Sequence, residues 1–271
     1  MNLPSHSASR SSALPAIVTT VALAGLLLSA LLICSNPAPL PTAAAAEWID
    51  PATAPAAYGI VRWVNVPQLP RSLAILDSVF WEPADTNSMR QKIATDAIVR
   101  GAQVLEIGTG SGLLSLCCLQ AGAAHVIATD LNPAAVANAR ENAQQLGFAE
   151  KLEARLVPRR APAAWTVLAP EETFDLILSN PPWENRTPVS VQEFALYDPG
   201  FELLHSLLSG ARQRLRPGGR IWLAYGCVTA IRTIEQVAAE QQLNCRLLDE
   251  RDLAALPELF LPGMLIEITV P

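Results

Sequence analysis

Val104-Leu105-Glu106-Ile107-Gly108-Thr109-Gly110-Ser111-Gly112 is the stretch that decides the fold. A short apolar strand runs straight into three alternate glycines, and an apolar helical segment over 113–121 follows. Glycine adopts backbone angles that other residues avoid, and it lacks the Cβ that would hold a ligand off the main chain. Outward from this point the same unit repeats. Strands are expected over 125–130, 152–157, 174–178, 220–225, 245–248 and 264–270, and helices over 133–146, 201–215 and 229–242. Pro133 stands at a helix first position behind Asn132, and Pro217-Gly218-Gly219 makes the turn before 220–225. Short apolar strands alternating with helices predict an α/β, doubly wound, mostly parallel seven-stranded sheet covered on both faces. No clear helix separates the last two strands, so an antiparallel final strand is expected. Upstream, 58–66 alternates weakly as a strand, and 87–99 has helical spacing with Ile93, Ala97 and Ile98 as its buried stripe.

The 271 residues are 51% hydrophobic and 16% charged, which excludes a disordered chain and leaves ample material for a core. Arg10 is the single Lys or Arg before Glu47, so the remainder carries 18 basic against 25 acidic side chains. That balance argues against a broad electrostatic grip on nucleic acid. Five cysteines, Cys117 and Cys118 adjacent, form no spaced framework and no zinc-type CxxC pair, so the folded part reads as reduced.

Residues 11–46 carry no charge, and from Ala16 to Ile33 the run is almost wholly apolar. Eighteen residues of helix reach roughly 27 Å, enough to cross a hydrocarbon core. Residues 1–35 are thus expected to be an apolar helix serving as a signal or membrane anchor. The run would contact membrane if uncleaved, and the protein would be membrane-associated or exported. A start site assigned too far upstream would instead leave it cytoplasmic. Residues 36–57 read as an Ala/Pro-rich linker, 58–100 as an extension of the catalytic domain, and 101–271 as the catalytic domain itself.

The glycine loop narrows the ligand. A dinucleotide fingerprint is G-x-G-x-x-G, and its third glycine would fall on Leu113; the pattern here is G-x-G-x-G. Asp130 ends the next strand, 22 positions after Gly108, where a carboxylate can accept from both hydroxyls of a ribose. A second motif, Ser179-Asn180-Pro181-Pro182-Trp183, ends the fourth strand of the repeat. Two prolines remove two N–H donors and leave carbonyls free to accept. Asn180 and the Pro181 carbonyl then offer two acceptors for a planar NH₂ group, and Trp183 offers a face on which it can stack. Such a device turns a nitrogen lone pair toward an electrophile.

Together these motifs resemble class I S-adenosylmethionine-dependent methyltransferases, and Asn180-Pro181-Pro182-Trp183 resembles the [D/N]-P-P-[F/Y/W] signature of the amino-methyltransferases among them. That group includes adenine-N6 enzymes, small-domain ribosomal RNA guanine enzymes and protein glutamine methyltransferases acting on release factors. Val79-Phe80-Trp81-Glu82-Pro83-Ala84-Asp85-Thr86 is similar to the segment before the glycine loop in the release-factor group, with one extra residue between aromatic and proline. Asp130-Leu131-Asn132-Pro133 echoes the same group and the ribosomal-protein methyltransferases. The resemblance implies the class I methyltransferase fold and S-adenosylmethionine as cofactor. It implies Glu106, Gly108, Thr109, Gly110, Gly112, Asp130, Leu131 and Asn180 as cofactor-binding residues, Asn180, Pro181 and Trp183 as catalytic ones, and no metal. Two departures stand out. Family members often place an acid after the third strand for the adenine amino group, whereas Val157 is followed by Pro158-Arg159-Arg160. The separate N-terminal helical substrate domain of the release-factor enzymes has only residues 58–99 as its counterpart.

The expected reaction is methyl transfer to a protein amide nitrogen of the glutamine type. A nucleic-acid amine (adenine N6 or guanine N2) and a small-molecule amine stay open. So do two further classes, a nicotinamide or flavin oxidoreductase and a membrane-tethered scaffold without turnover. The sequence sets no oligomeric state. His125, Cys117 and Cys118 read as structural, and Arg155, Arg159 and Arg160 as a solvated basic face. Glu184-Asn185-Arg186 reads either as a substrate lid or as an ordinary loop.

Overall fold

Leu105, the middle of β3 (Gln103–Ile107), lies between Ile127 of β4 (His125–Asp130) and Ile177 of β6 (Phe174–Ser179), both strands running parallel to it. The computed structural model describes residues 58–271. The apolar helix, linker, signal and anchor expected of residues 1–57 lie outside the described residues. Among the described residues no helix is long and apolar enough to cross a membrane.

Seven strands form one sheet in the order β5-β4-β3-β6-β7-β9-β8, where β5 is Leu152–Leu156, β7 Leu215–Cys227, β8 Asn244–Leu247 and β9 Leu259–Thr269. The strands from β5 through β7 pair in parallel. As expected, β9 is antiparallel, inserted between β7 and β8. It begins at Leu259, five residues before the strand expected over 264–270, and contains a cis Leu261–Pro262 bond. The Pro217-Gly218-Gly219 turn is an irregularity within β7, between its pairing at Leu215 and at Arg220.

Two apolar layers sandwich the sheet. On one face Leu105, Ile177, Ile221 and Leu223 pack against α4 (Glu202–Arg214) and α5 (Val228–Glu240). On the other, Val104, Leu176, Leu178 and Trp222 pack against α1 (Asn87–Thr95), α2 (Leu113–Gln120) and α3 (Pro133–Leu146). The alternation of Val104 and Leu105 between the two clusters is the period of two of a strand buried on both faces. Burying such a side chain stabilises the fold by ~1.5–3 kcal/mol.

Helix α3 also holds what precedes the sheet. Asn132 caps it by accepting from Ala134 N–H, Pro133 opens it, and Gly147 closes it at φ +78°. Asn138 and Asn142 are four apart, hence on one face, and wholly buried. Their carboxamides serve the backbone of Ala74 and Leu76 in β2 (Leu73–Leu76), a buried strand that sequence patterning does not reveal. β1 (Ile60–Val64) pairs antiparallel with it, so the expected strand at 58–66 exists but as half of a separate hairpin.

Candidate active site

Because β4 and β6 flank β3 in parallel, their carboxyl-terminal tips open at one edge of the sheet. The glycine loop crosses that edge: Gly108 and Thr109 N–H both donate to Thr129 O, at 2.9 and 3.0 Å. Gly108, Gly110 and Gly112 have φ of +77°, +53° and +82°, angles that disfavour a side chain. Gly112 starts α2, and a Cβ there would stand 3.0 Å from Ala139 Cα.

Glu106, two residues before the loop, is buried. Its Oε2 accepts from Thr109 Oγ1 at 2.7 Å, from Ser115 N–H at 3.0 Å and from the Ser115 hydroxyl. Burial pushes its carboxyl up to about 7, against those hydrogen bonds. Glu106 lines the cavity described below, but this oxygen is occupied in bracing the loop. Asp130 at the tip of β4 accepts from Gly110 N–H through Oδ2 at 2.9 Å and from Asn132 N–H through Oδ1 at 2.8 Å. Burial raises its carboxyl above the ordinary range.

At the tip of β6 the Ser179 hydroxyl donates to Ile107 O at 2.7 Å, locking the two strand ends together. Asn180 follows, and its Oδ1 is buried without a hydrogen-bond partner. The neighbour of its carboxamide is Asp85, just before α1 and only 6% exposed. Burial pushes the Asp85 carboxyl up to about 6, the Asn180 carboxamide beside it pulls the other way, and the charge of Glu82 adds to the rise. Asp85 Oδ1 is itself buried without a hydrogen-bond partner, and Asn180 Oδ1 is left for a donor from elsewhere. Thr86 Oγ1, next in the chain, is also buried and unpartnered.

A cavity of about 350 Å³ joins these groups. Glu106, Gly108, Thr109, Gly110, Asp130 and Leu131 line it on one side. Asn180, Pro181 and Pro182 line it on the other. Two expected residues are placed differently. Gly112 does not line the cavity; it gives the loop its turn and lets α2 approach α3. Trp183 does not line it either: its Nε1–H donates to Ala224 O at 3.1 Å and its ring fills the space that a Cβ on Gly226 or Gly263 would need. The stacking surface expected of Trp183 is therefore turned into the fold, where the indole packs beside Gly226 and Gly263.

The far wall comes from residues that motif reading does not single out. One part is 161–164, beyond β5; Val157 N–H donates to Asp130 O at 2.7 Å, so this segment leaves the sheet beside Asp130. The other is the loop after Trp183, which contributes Phe194, Tyr197 and Asp198. Its neck is closed: Trp183 and Glu184 N–H both donate to Leu196 O, and Asp198 N–H donates to Glu184 O. Glu184-Asn185-Arg186 thus starts a pinned wall rather than a free loop. The arginines at 155–160 divide. Arg155 is held by Glu153 and Glu172, each through two hydrogen bonds, and is no solvated face. Arg159 lies 5.5 Å from the Phe194 ring centroid, bridging the two walls. Cys117 and Cys118 are buried in the core as expected.

The ribosomal protein L11 methyltransferase (PrmA) family model matches residues 85–181, from Asp85 past the glycine loop to Pro181. A release factor glutamine methyltransferase of Cereibacter sphaeroides is 41% identical over 137 residues, 46% of this chain and 47% of that protein. One of Bordetella pertussis is 34% identical over 168 residues, 57% and 58% respectively. The chain therefore spans about half the length of the curated relatives it matches. Among solved structures, a ribosomal protein L11 methylase of Lactobacillus delbrueckii subsp. bulgaricus superposes with a TM-score of 0.54 at 19% identity, covering 77% of this chain and 98% of that one. Over part of its length the chain is thus similar in sequence to release factor glutamine methyltransferases and to the ribosomal protein L11 methyltransferase family model, and its fold is like that of the L11 methylase.

Proposed function

We propose that this protein is an N-methyltransferase that uses S-adenosylmethionine and acts on a protein amide nitrogen of the glutamine type. The observation that carries this reading is the buried, unpartnered Oδ1 of Asn180 in one cavity with the glycine loop and Asp130. An orphaned buried acceptor costs ~1–3 kcal/mol, a penalty relieved when an N–H donor enters.

The residues present fit the cofactor. Asp130 would use its remaining lone pairs for ribose hydroxyls, the glycines would leave the main chain open to the amino-acid part, and Leu131 would stand beside the base. When bound, S-adenosylmethionine supplies an electrophilic methyl on a sulfonium. The chain's own residues do the rest by positioning. Asn180 Oδ1 accepts one amide N–H and the Pro181 carbonyl the other, which holds the NH₂ plane and turns the nitrogen lone pair along the line of displacement. Neither Pro181 nor Pro182 has an N–H to compete for those acceptors. The product nitrogen sheds its proton after transfer, so no general base is needed.

A nucleobase amine would meet the same acceptors. The acidic balance and the names of the relatives, release factor glutamine methyltransferases among them, favour protein. The test is transfer of labelled methyl by the full chain to a purified release factor, with RNA and DNA as competing acceptors. Labelling of a glutamine, abolished by Asn180→Ala, is expected. Labelling of RNA or DNA but no protein would overturn the protein reading.

A further inference from the structure

The end of the cavity where the cofactor's base would lie lacks the acid that relatives often place after the third strand, since Val157 is followed by Pro158-Arg159-Arg160. Hydrogen bonds trace where that wall goes instead. From Val157, tied to Asp130 O, the chain reaches 161–164, and Ala164 N–H donates to the Ser206 hydroxyl of α4 at 2.9 Å. Glu202 lies four residues before Ser206, so it faces the same segment one helical turn nearer the cavity, which it lines. The other carboxylates of the cavity already accept hydrogen bonds: Glu82 through Oε1 from Ala84 N–H, Glu106 through Oε2 from Thr109 and Ser115, and Asp130 and Asp198 through both oxygens, from Gly110 and Asn132 and from Leu203 and Leu204. The Glu202 carboxylate accepts no hydrogen bond among the described residues.

We infer that Glu202, at the start of α4, binds the exocyclic amino group of the cofactor's adenine, replacing the missing acid from the opposite wall of the slot. This rests on the cofactor reading above. The alanines and proline of 161–164 and Leu131 then give the ring its apolar walls, and one carboxylate at the mouth supplies the base recognition. A carboxylate accepts from an amine and repels the lone pairs of a carbonyl at the same position. Glu202 therefore selects adenine over hypoxanthine.

Calorimetric titration of the full chain with S-adenosylhomocysteine and with S-inosylhomocysteine tests this. The wild-type protein is expected to favour the adenosyl compound by about tenfold or more, the scale of one hydrogen bond to a charged group. Glu202→Ala should bring the two within about twofold by weakening the adenosyl compound alone. Asp130→Ala should weaken both in parallel. Glu202 is exposed, so its variant should keep the wild-type melting temperature, and that is measured alongside. A wild-type protein with no preference, or a preference that survives Glu202→Ala, would overturn the assignment while leaving cofactor use intact. Binding of neither compound to the wild-type protein would overturn the cofactor reading and this assignment with it.

Discussion

Asp130 and Gly110 are joined by a 2.9 Å hydrogen bond, in which the carboxylate at the tip of β4 accepts the N–H at the middle of the glycine loop. The loop after β3 is thereby held to the neighbouring strand before any ligand arrives. Asp130→Ala should thus weaken S-adenosylhomocysteine binding by about 10- to 100-fold, the equivalent of ~1.5–3 kcal/mol for charged hydrogen bonds, and also lower the melting temperature. Asp130→Asn keeps an acceptor for Gly110 and should recover much of the stability but less of the binding. Calorimetry and thermal melts on the two variants separate these effects.

Gly108 and Gly112 share a positive φ but not a neighbourhood. A Cβ on Gly108 meets nothing within 4 Å, whereas on Gly112 it meets Ala139 Cα at 3.0 Å, and a backbone atom cannot swing aside. Gly108→Ala should cost ~1 kcal/mol from backbone strain, and Gly112→Ala at least ~1–3 kcal/mol more because α2 and α3 must separate. Urea denaturation measures both. Equal losses would show that the α2–α3 approach is not tight.

Glu106 gives a pH dependence of stability. Its carboxyl rises from an ordinary 4.5 to about 7, so between those values the folded protein holds a proton that the unfolded chain has released. The contribution is full below about pH 4.5 and is lost as pH rises through about 7, with a slope of at most ~1.4 kcal/mol per pH unit. Glu106→Gln cannot titrate and keeps an acceptor for Thr109 and Ser115. Denaturation free energies across pH 4.5 to 7.5 should show a flatter profile in this variant.

What the sequence makes legible is whatever local pattern and strand order decide. Alternating strand and helix periods give the parallel core, and neighbouring strand tips bring Asp130 and Asn180 to one cavity. The rest is set at long range. Leu73–Leu76 is a four-residue apolar run whose identity as a strand depends on buried Asn138 and Asn142, more than 60 positions away. Arg155 looks like part of a basic surface until Glu172 folds back on it. Glu202 carries no motif, and only the packing of 161–164 on α4 makes it part of the wall.

Asp85 stands behind Asn180, and its carboxyl near 6 predicts the acid limb of the activity. Ionised, it can only accept, so it favours the carboxamide with Nδ2 toward it and Oδ1 toward the cavity. Protonated, it becomes a donor that can take Oδ1 for itself and withdraw the acceptor from the substrate amide. Methyl transfer measured as kcat/KM should therefore climb as pH rises through about 6. Asp85→Asn should be slower at neutral pH but flat across that range. A variant that keeps the wild-type acid limb would show that another group controls it.

Trp183 separates a wedge from a platform. The indole N–H satisfies Ala224 O, and the ring occupies the gap beside Gly226 and Gly263, where nothing larger than hydrogen is present on the opposing backbone. Trp183→Phe keeps most of the ring but orphans that carbonyl, and should destabilise the fold by ~1–3 kcal/mol. Trp183→Ala empties the gap and should cost ~3–5 kcal/mol. A stacking platform would behave differently: phenylalanine would retain activity and stability alike, and alanine would lower kcat/KM in a protein as stable as the wild type. Denaturation and steady-state kinetics on the same two variants decide between them. With the side chain turned away from the cavity, stability falls first and activity follows only as the Pro181-Pro182 turn loosens.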